Sequence, residues 1–139
     1  MSPRHAASAV VLFAHGARDP EWARPIEAIR DRMRAVMPPG TVVTAYLEYM
    51  QPDLRTAIEA LAVKGVERIT VMPIFVAQGG HLKRDVPILI EAVRREQPGL
   101  AIRLAPVIGD SPAVLDAIAA WCLAEHRVDA GAPPPPAPA

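Results

Sequence analysis

The sequence predicts an α/β domain: a doubly wound, four-stranded parallel sheet of order 2-1-3-4 with helices on both faces. Three observations carry this. Short apolar runs rich in β-branched residues recur along the chain. A stretch with apolar residues at three- and four-residue spacing follows each run, and the connections between them are only a few residues long. Right-handed crossovers restrict how such units can be wound. In sheets of this kind ligands bind beyond the carboxyl ends of the strands, where the strand order switches between the first and third strands.

Taken in order, residues 1–8 read as a flexible lead, and residues 9–14 (AVVLFA) as a strand buried on both faces. Asp19-Pro20 supplies a cap and a first-turn proline. Trp22, Ile26, Ile29, Met33 and Val36 then form one helical face, ended by Pro38-Pro39-Gly40. Residues 41–47 (TVVTAYL) are a second strand with Glu48 at its exit. Gln51-Pro52-Asp53 opens a helix with Leu54, Ile58, Leu61 and Ala62 inward, and Lys64-Gly65 closes it. Residues 68–76 form the third strand. Val86, Leu89, Ile90 and Val93 mark the third helix, with Asp85 as its expected cap. Residues 100–106 are the fourth strand. Ser111-Pro112 caps a fourth helix carrying Val114, Leu115, Ile118 and Trp121, in which Cys122 reads as a small buried hydrophobe. The domain is therefore expected over residues 9–128, with a Pro/Ala-rich disordered tail over 129–139.

Composition excludes several functions. The chain has 139 residues, 51% hydrophobic and 22% charged, which is enough for one domain with a real core. The net charge of zero gives no electrostatic case for nucleic acid or an anionic membrane, and six aromatics leave little for base stacking. One cysteine supports neither a disulfide framework nor a cysteine-based metal cage within one chain. No apolar run approaches the roughly 20 residues that span a bilayer, nothing resembles a secretion signal, and the cytoplasm is the expected compartment.

His15 and His81 carry the chemistry. Each follows a predicted strand, the first and the third, at the edge where ligands bind. Neutral imidazole there can hold a transition metal or accept a proton near pH 7. Taken singly, a histidine after a strand is more often structural; two of them on adjacent strands bring the two readings level. Glu48, leaving the neighbouring second strand, fits a metal ligand, a proton acceptor or a solvated carboxylate. Gly79-Gly80 lacks the spacing of a phosphate loop and is read instead as clearance for a bulky ligand, with a simple turn as the alternative. Arg18, Lys83 and Arg84 could form a basic rim for ligand carboxylates or remain solvated. His5 and His126 lie near the chain ends and are set aside.

The segments LFAHGARDP, LEYMQPDL and MPIFVAQGGHLKRDVP resemble the CbiX family, the short sirohydrochlorin chelatases of the class II chelatase fold. The joint pattern, xHGxRD followed about 65 residues later by GGHxxxDxP, is specific, and the resemblance covers roughly residues 9–122. It implies a lyase that inserts a divalent metal (Co²⁺ or Fe²⁺, with Ni²⁺ in a related branch) into sirohydrochlorin, in cobalamin or sirohaem biosynthesis. It implies no nucleotide and, with this tail, no Fe–S cluster. His15 and His81 would be the catalytic and metal-binding residues, with Glu48 as the acidic partner. Arg18, Lys83 and Arg84 would meet the substrate rim, Phe75 and Val76 its face, and Gly79 and Gly80 would give it room. A homodimer is implied, with tetrapyrrole and metal as partners. Ala17 stands where the family often has serine, which removes one hydroxyl from the loop. A non-catalytic metal or tetrapyrrole carrier of the same fold is the first competing reading, and a flavodoxin-like signalling domain the second.

Overall fold

The computed structural model describes residues 7–131 and 136–137. Four strands, β1 (Ser8–Ala14), β2 (Val42–Tyr46), β3 (Arg68–Pro73) and β4 (Ala101–Leu104), form one parallel sheet of order β2-β1-β3-β4. The expected winding is therefore the observed one. β1 is central: Phe13 is level with Ala45 on one side and Pro73 on the other, so the carboxyl ends of β1, β2 and β3 open on one edge.

The continuous apolar run of β1 is explained by burial on both faces. Val11 and Phe13 join a core with Ile69 and Val71, covered by α2 (Leu54–Val63) and α3 (Gly80–Glu96) through Ile58, Leu61, Ile90 and Val93. Val10, Leu12 and Ala14 face the other way, with Val42 and Tyr46, onto Ile26 of α1 (Arg24–Arg34) and the half-buried Met33. Two arginines tie helix ends to the strands that follow. Arg34 donates two hydrogen bonds to the Val42 carbonyl (3.0 and 2.8 Å), and Arg94 donates two to that of Ile102 (3.1 and 2.7 Å).

Several expectations need correction. The first helix does not begin at Pro20: residues Pro20–Ala23 form a short 3-10 turn, capped by Asp19 accepting from the Glu21 amide. Trp22 lies in that turn and Val36 beyond the end of α1 at Arg34, so both fall outside the core face and are exposed. Asp85 does not cap α3. The helix starts six residues earlier, with Gly79 at the cap position and Lys83 N–H on the Gly79 carbonyl (3.1 Å), and it carries Pro87 inside it. The third strand ends at Pro73 rather than at residue 76.

The fourth helix, α4 (Pro112–Asp129), is capped by Ser111 as expected but buries none of its residues. Cys122 is accordingly exposed, not core. β1 begins at Ser8 and α4 runs through Asp129, one residue beyond each expected domain edge. Positions 1–6 of the expected lead over 1–8, with His5, and the tail positions 132–135 and 138–139 lie outside the described residues. Among the described residues no helix is long and apolar enough to cross a membrane.

Candidate functional site

The site grows from the last residue of β1. Ala14 is buried and its carbonyl accepts from Leu47 N–H (2.9 Å), while the His15 carbonyl accepts from Glu48 N–H (3.1 Å). The parallel ladder is thus extended by two residues past the ends of β1 and β2. It brings the two side chains side by side: His15 Nε2 donates to Glu48 Oε1 at 2.9 Å. Both side chains remain about half exposed (53% and 46%), so the pair faces solvent and its value lies in orientation more than stability. With Nε2–H given to the carboxylate, the neutral ring keeps its lone pair on Nδ1.

Gly16 makes this approach feasible. Its φ is +86°, and a Cβ there would lie 2.0 Å from the Glu48 carbonyl oxygen. Below His15, Phe75 packs edge-on at 6.3 Å between centroids and touches Phe13 at 5.7 Å in the same manner. Phe75 is only 5% exposed. Its ring props the imidazole from inside the core; it does not offer the open macrocycle-facing surface expected of it. Val76, next in the chain, is exposed.

A cleft of about 490 Å³ opens beside the pair. His15, Gly16, Arg18, Trp22, Glu48 and Tyr49 are among its walls. Arg18 lies over the Tyr49 ring, its guanidinium carbon 5.0 Å from the centroid. The expected basic rim is not one cluster: Lys83 lines a different groove with Gln78 and Asp110, and Arg84 is exposed on α3. His81 sits in the first turn of α3, exposed and not among the cleft walls. The side chain that His15 is hydrogen-bonded to is Glu48. Among the described residues no three His, Cys, Asp or Glu side chains lie close enough to hold a metal ion. Gly79 and Gly80 have open space where a Cβ would be, so the protein itself does not require glycine clearance there.

Sequence reading missed Trp22 and Tyr49. Trp22 was assigned to a helix face by spacing alone, and only the Pro20 and Pro25 punctuation hinted otherwise. Nothing in the sequence marks Tyr49, because a tyrosine at φ +64° is the reverse of what propensity favours.

An open parallel sheet with a histidine–carboxylate pair at its carboxyl edge, over a cleft beside the central strand, defines a doubly wound fold with a candidate ligand site at its switch point. The family model CbiX matches residues 9–122, and the chain belongs to the CbiX family. Among curated relatives, the sirohydrochlorin cobaltochelatase of Methanopyrus kandleri is 35% identical over 82 residues, covering 59% of this chain and 57% of that protein. The match thus spans little more than half the relative's length. Among solved structures, a CbiX protein from Marinobacter aquaeolei VT8 superposes with a TM-score of 0.77 at 34% identity, covering 86% of this chain and 98% of that one. SirB from Bacillus subtilis with Fe³⁺ gives 0.71 at 25% identity, covering 91% of this chain but 48% of the SirB chain.

Proposed function

We propose that this chain inserts a divalent metal, Co²⁺ or Fe²⁺, into sirohydrochlorin without consuming a nucleotide. The observation that carries the reading is the His15–Glu48 pair at the mouth of a cleft large enough to take one edge of a flat ligand. The cobaltochelatase named above and the metal-bearing SirB support the substrate class.

The reaction exchanges two pyrrole N–H protons for one M²⁺, so a site must accept protons and displace metal-bound water. His15 Nδ1 is the free lone pair in the cleft and takes a proton from the macrocycle. Glu48 fixes the tautomer and stabilises the imidazolium that results. His81, on its separate helix turn, is the metal-side ligand, and the second proton leaves through Glu48 to solvent. This division of labour removes the conflict of one imidazole serving as ligand and base together. Imidazole and carboxylate suit cobalt, iron and nickel alike, so the metal used follows supply as much as affinity.

The working unit is proposed to be a homodimer. The chain spans 48% of SirB, so two copies would approximate that length, and α4 offers a face with Ile118 and the 65%-exposed Trp121 uncovered. The cytoplasm is the proposed compartment, in keeping with a lone cysteine.

The test follows the visible spectrum of sirohydrochlorin with Co²⁺, and with Fe²⁺ under anaerobic conditions. The parent protein is expected to accelerate metallation over buffer, and His15→Ala and His81→Ala to lose about 10²–10⁴ of that rate while keeping the parent's circular dichroism. A protein that binds tetrapyrrole without accelerating metallation is a carrier and overturns the catalytic reading. Full turnover in both alanine variants overturns the assigned roles.

A further inference from the structure

The turn that carries Glu48 into the site continues through a residue to which the proton chemistry gives no part. Tyr49 has φ +64°, and Met50 N–H reaches back across it to the Glu48 carbonyl at 2.8 Å. A hydrogen bond from i to i+2 around a centre with positive φ is the rarer, strained form of γ-turn. A bulky aromatic is among the residues least suited to that backbone region, and glycine would relieve it. The ring gains little burial in return, since Tyr49 is 60% exposed. What it meets is the Arg18 guanidinium, 5.0 Å away over its face. Both residues line the cleft of His15 and Glu48, and so does Trp22, itself 71% exposed. One opening therefore contains two uncovered aromatic rings, a cation held over one of them, and the histidine–carboxylate pair.

We propose that Tyr49 is a substrate-binding residue. Its ring is a stacking platform for a flat, conjugated, carboxylate-bearing macrocycle, and its cation–π contact holds Arg18 where a peripheral carboxylate of that macrocycle meets the guanidinium. The assignment rests on the metal-insertion reading and gives the ring its part in it. A delocalised ligand stacks on an aromatic face without demanding one orientation. A guanidinium lying over a ring keeps its in-plane N–H groups free for a carboxylate. The charge fits: an anionic periphery meets the one arginine in the cleft wall. The strain fits too, because strained backbone persists where the surrounding structure holds it and a side chain is needed at that place.

The test uses Tyr49→Gly and Tyr49→Phe in the full chain, with metal-free sirohydrochlorin as the probe. Absorption titration is expected to show binding weakened about tenfold in Tyr49→Gly, with KM for the tetrapyrrole raised by a similar factor. KM for Co²⁺ and kcat stay near the parent. Tyr49→Phe, which keeps the ring, recovers binding. The urea midpoint of Tyr49→Gly is held or raised, since glycine accepts the positive φ. A merely structural ring predicts the opposite pattern: a lower midpoint in Tyr49→Gly and no selective effect on the tetrapyrrole. A parent protein that takes up sirohydrochlorin while Tyr49→Gly keeps its affinity overturns this assignment alone. A parent that neither binds nor metallates sirohydrochlorin overturns the metal-insertion reading and this assignment with it.

Discussion

Gly16→Ala tests whether the approach of β1 to the Glu48 turn is what builds the site. The added Cβ would stand 2.0 Å from the Glu48 carbonyl oxygen, where an ordinary contact begins near 3.4 Å, so something must retreat by about 1.4 Å. That oxygen also accepts from Met50 N–H, and Glu48 N–H is bound to the His15 carbonyl. Moving it therefore drags the whole turn. Left-handed backbone at a non-glycine residue costs about 1–3 kcal/mol and overpacking about 1–3 kcal/mol more, so a total near 2–6 kcal/mol is expected. For a chain of this length that lowers Tm by roughly 6–30 °C. A displacement on this scale also separates Glu48 from His15, and a 1 Å misplacement at a reacting site can cost about 10²-fold in rate. Gly65→Ala is the control, because Gly65 has φ +89° but nothing within 4 Å of an added Cβ. It carries the conformational cost without the collision. Thermal melts of the three proteins, followed by metallation rates below the lowest melting range, separate the two effects. If Gly16→Ala melts no lower than Gly65→Ala and keeps its turnover, the collision is relieved without consequence and the reasoning is refuted.

The α2 cap and the α4 face give the remaining predictions. Asp53 accepts from Thr56 N–H at 2.8 Å, and that bond to the backbone holds its carboxyl below the usual 3.8. A depressed carboxylate contributes stability that is present above its unfolded value and lost as the pH falls through the folded one. Asp53→Ala is therefore expected to cost about 1 kcal/mol at pH 7 in urea unfolding; the deficit should shrink below pH 3.8, and a deficit equal at pH 7 and pH 3 would contradict this account. On α4, Ile118→Glu together with Trp121→Glu should shift sedimentation to the monomer and leave its circular dichroism like that of the parent diluted to monomer, because neither side chain is buried within the chain. A parent that sediments as a monomer at every concentration removes the dimer from the proposal.

The sheet order could be read from the sequence because burial on two faces leaves a plain signature. Six consecutive apolar residues in β1 have only one sensible place, the middle. Helix starts were less legible. Asp85 and Pro87 look like a cap and a first turn, yet the backbone already closes a turn at Gly79, and an N–H missing at Pro87 is tolerated inside α3. Trp22 shows a different limit: periodicity reports which residues share a helical face only while the residues are helical, and the 3-10 turn breaks the phase. His15 and Glu48 were found because strand ends are predictable. Their direct hydrogen bond, and the strained turn at Tyr49 beside it, depend on tertiary approach that no local pattern encodes. Cys122 failed for a related reason. A sequence shows that a helix face is apolar, but not which molecule covers it.

The exposed α4 has a consequence for how the chain folds. A helix of 18 residues, none of them fully buried, contributes little hydrophobic burial to the cooperative unit, and most helical stability in proteins comes from packing an apolar face. In the proposed homodimer its order is then set by protein concentration rather than by the stability of the sheet. Hydrogen exchange should divide the molecule at Ser111: β1 amides protected to the global unfolding free energy at any dilution, and α4 amides protected only as association supplies the missing contacts.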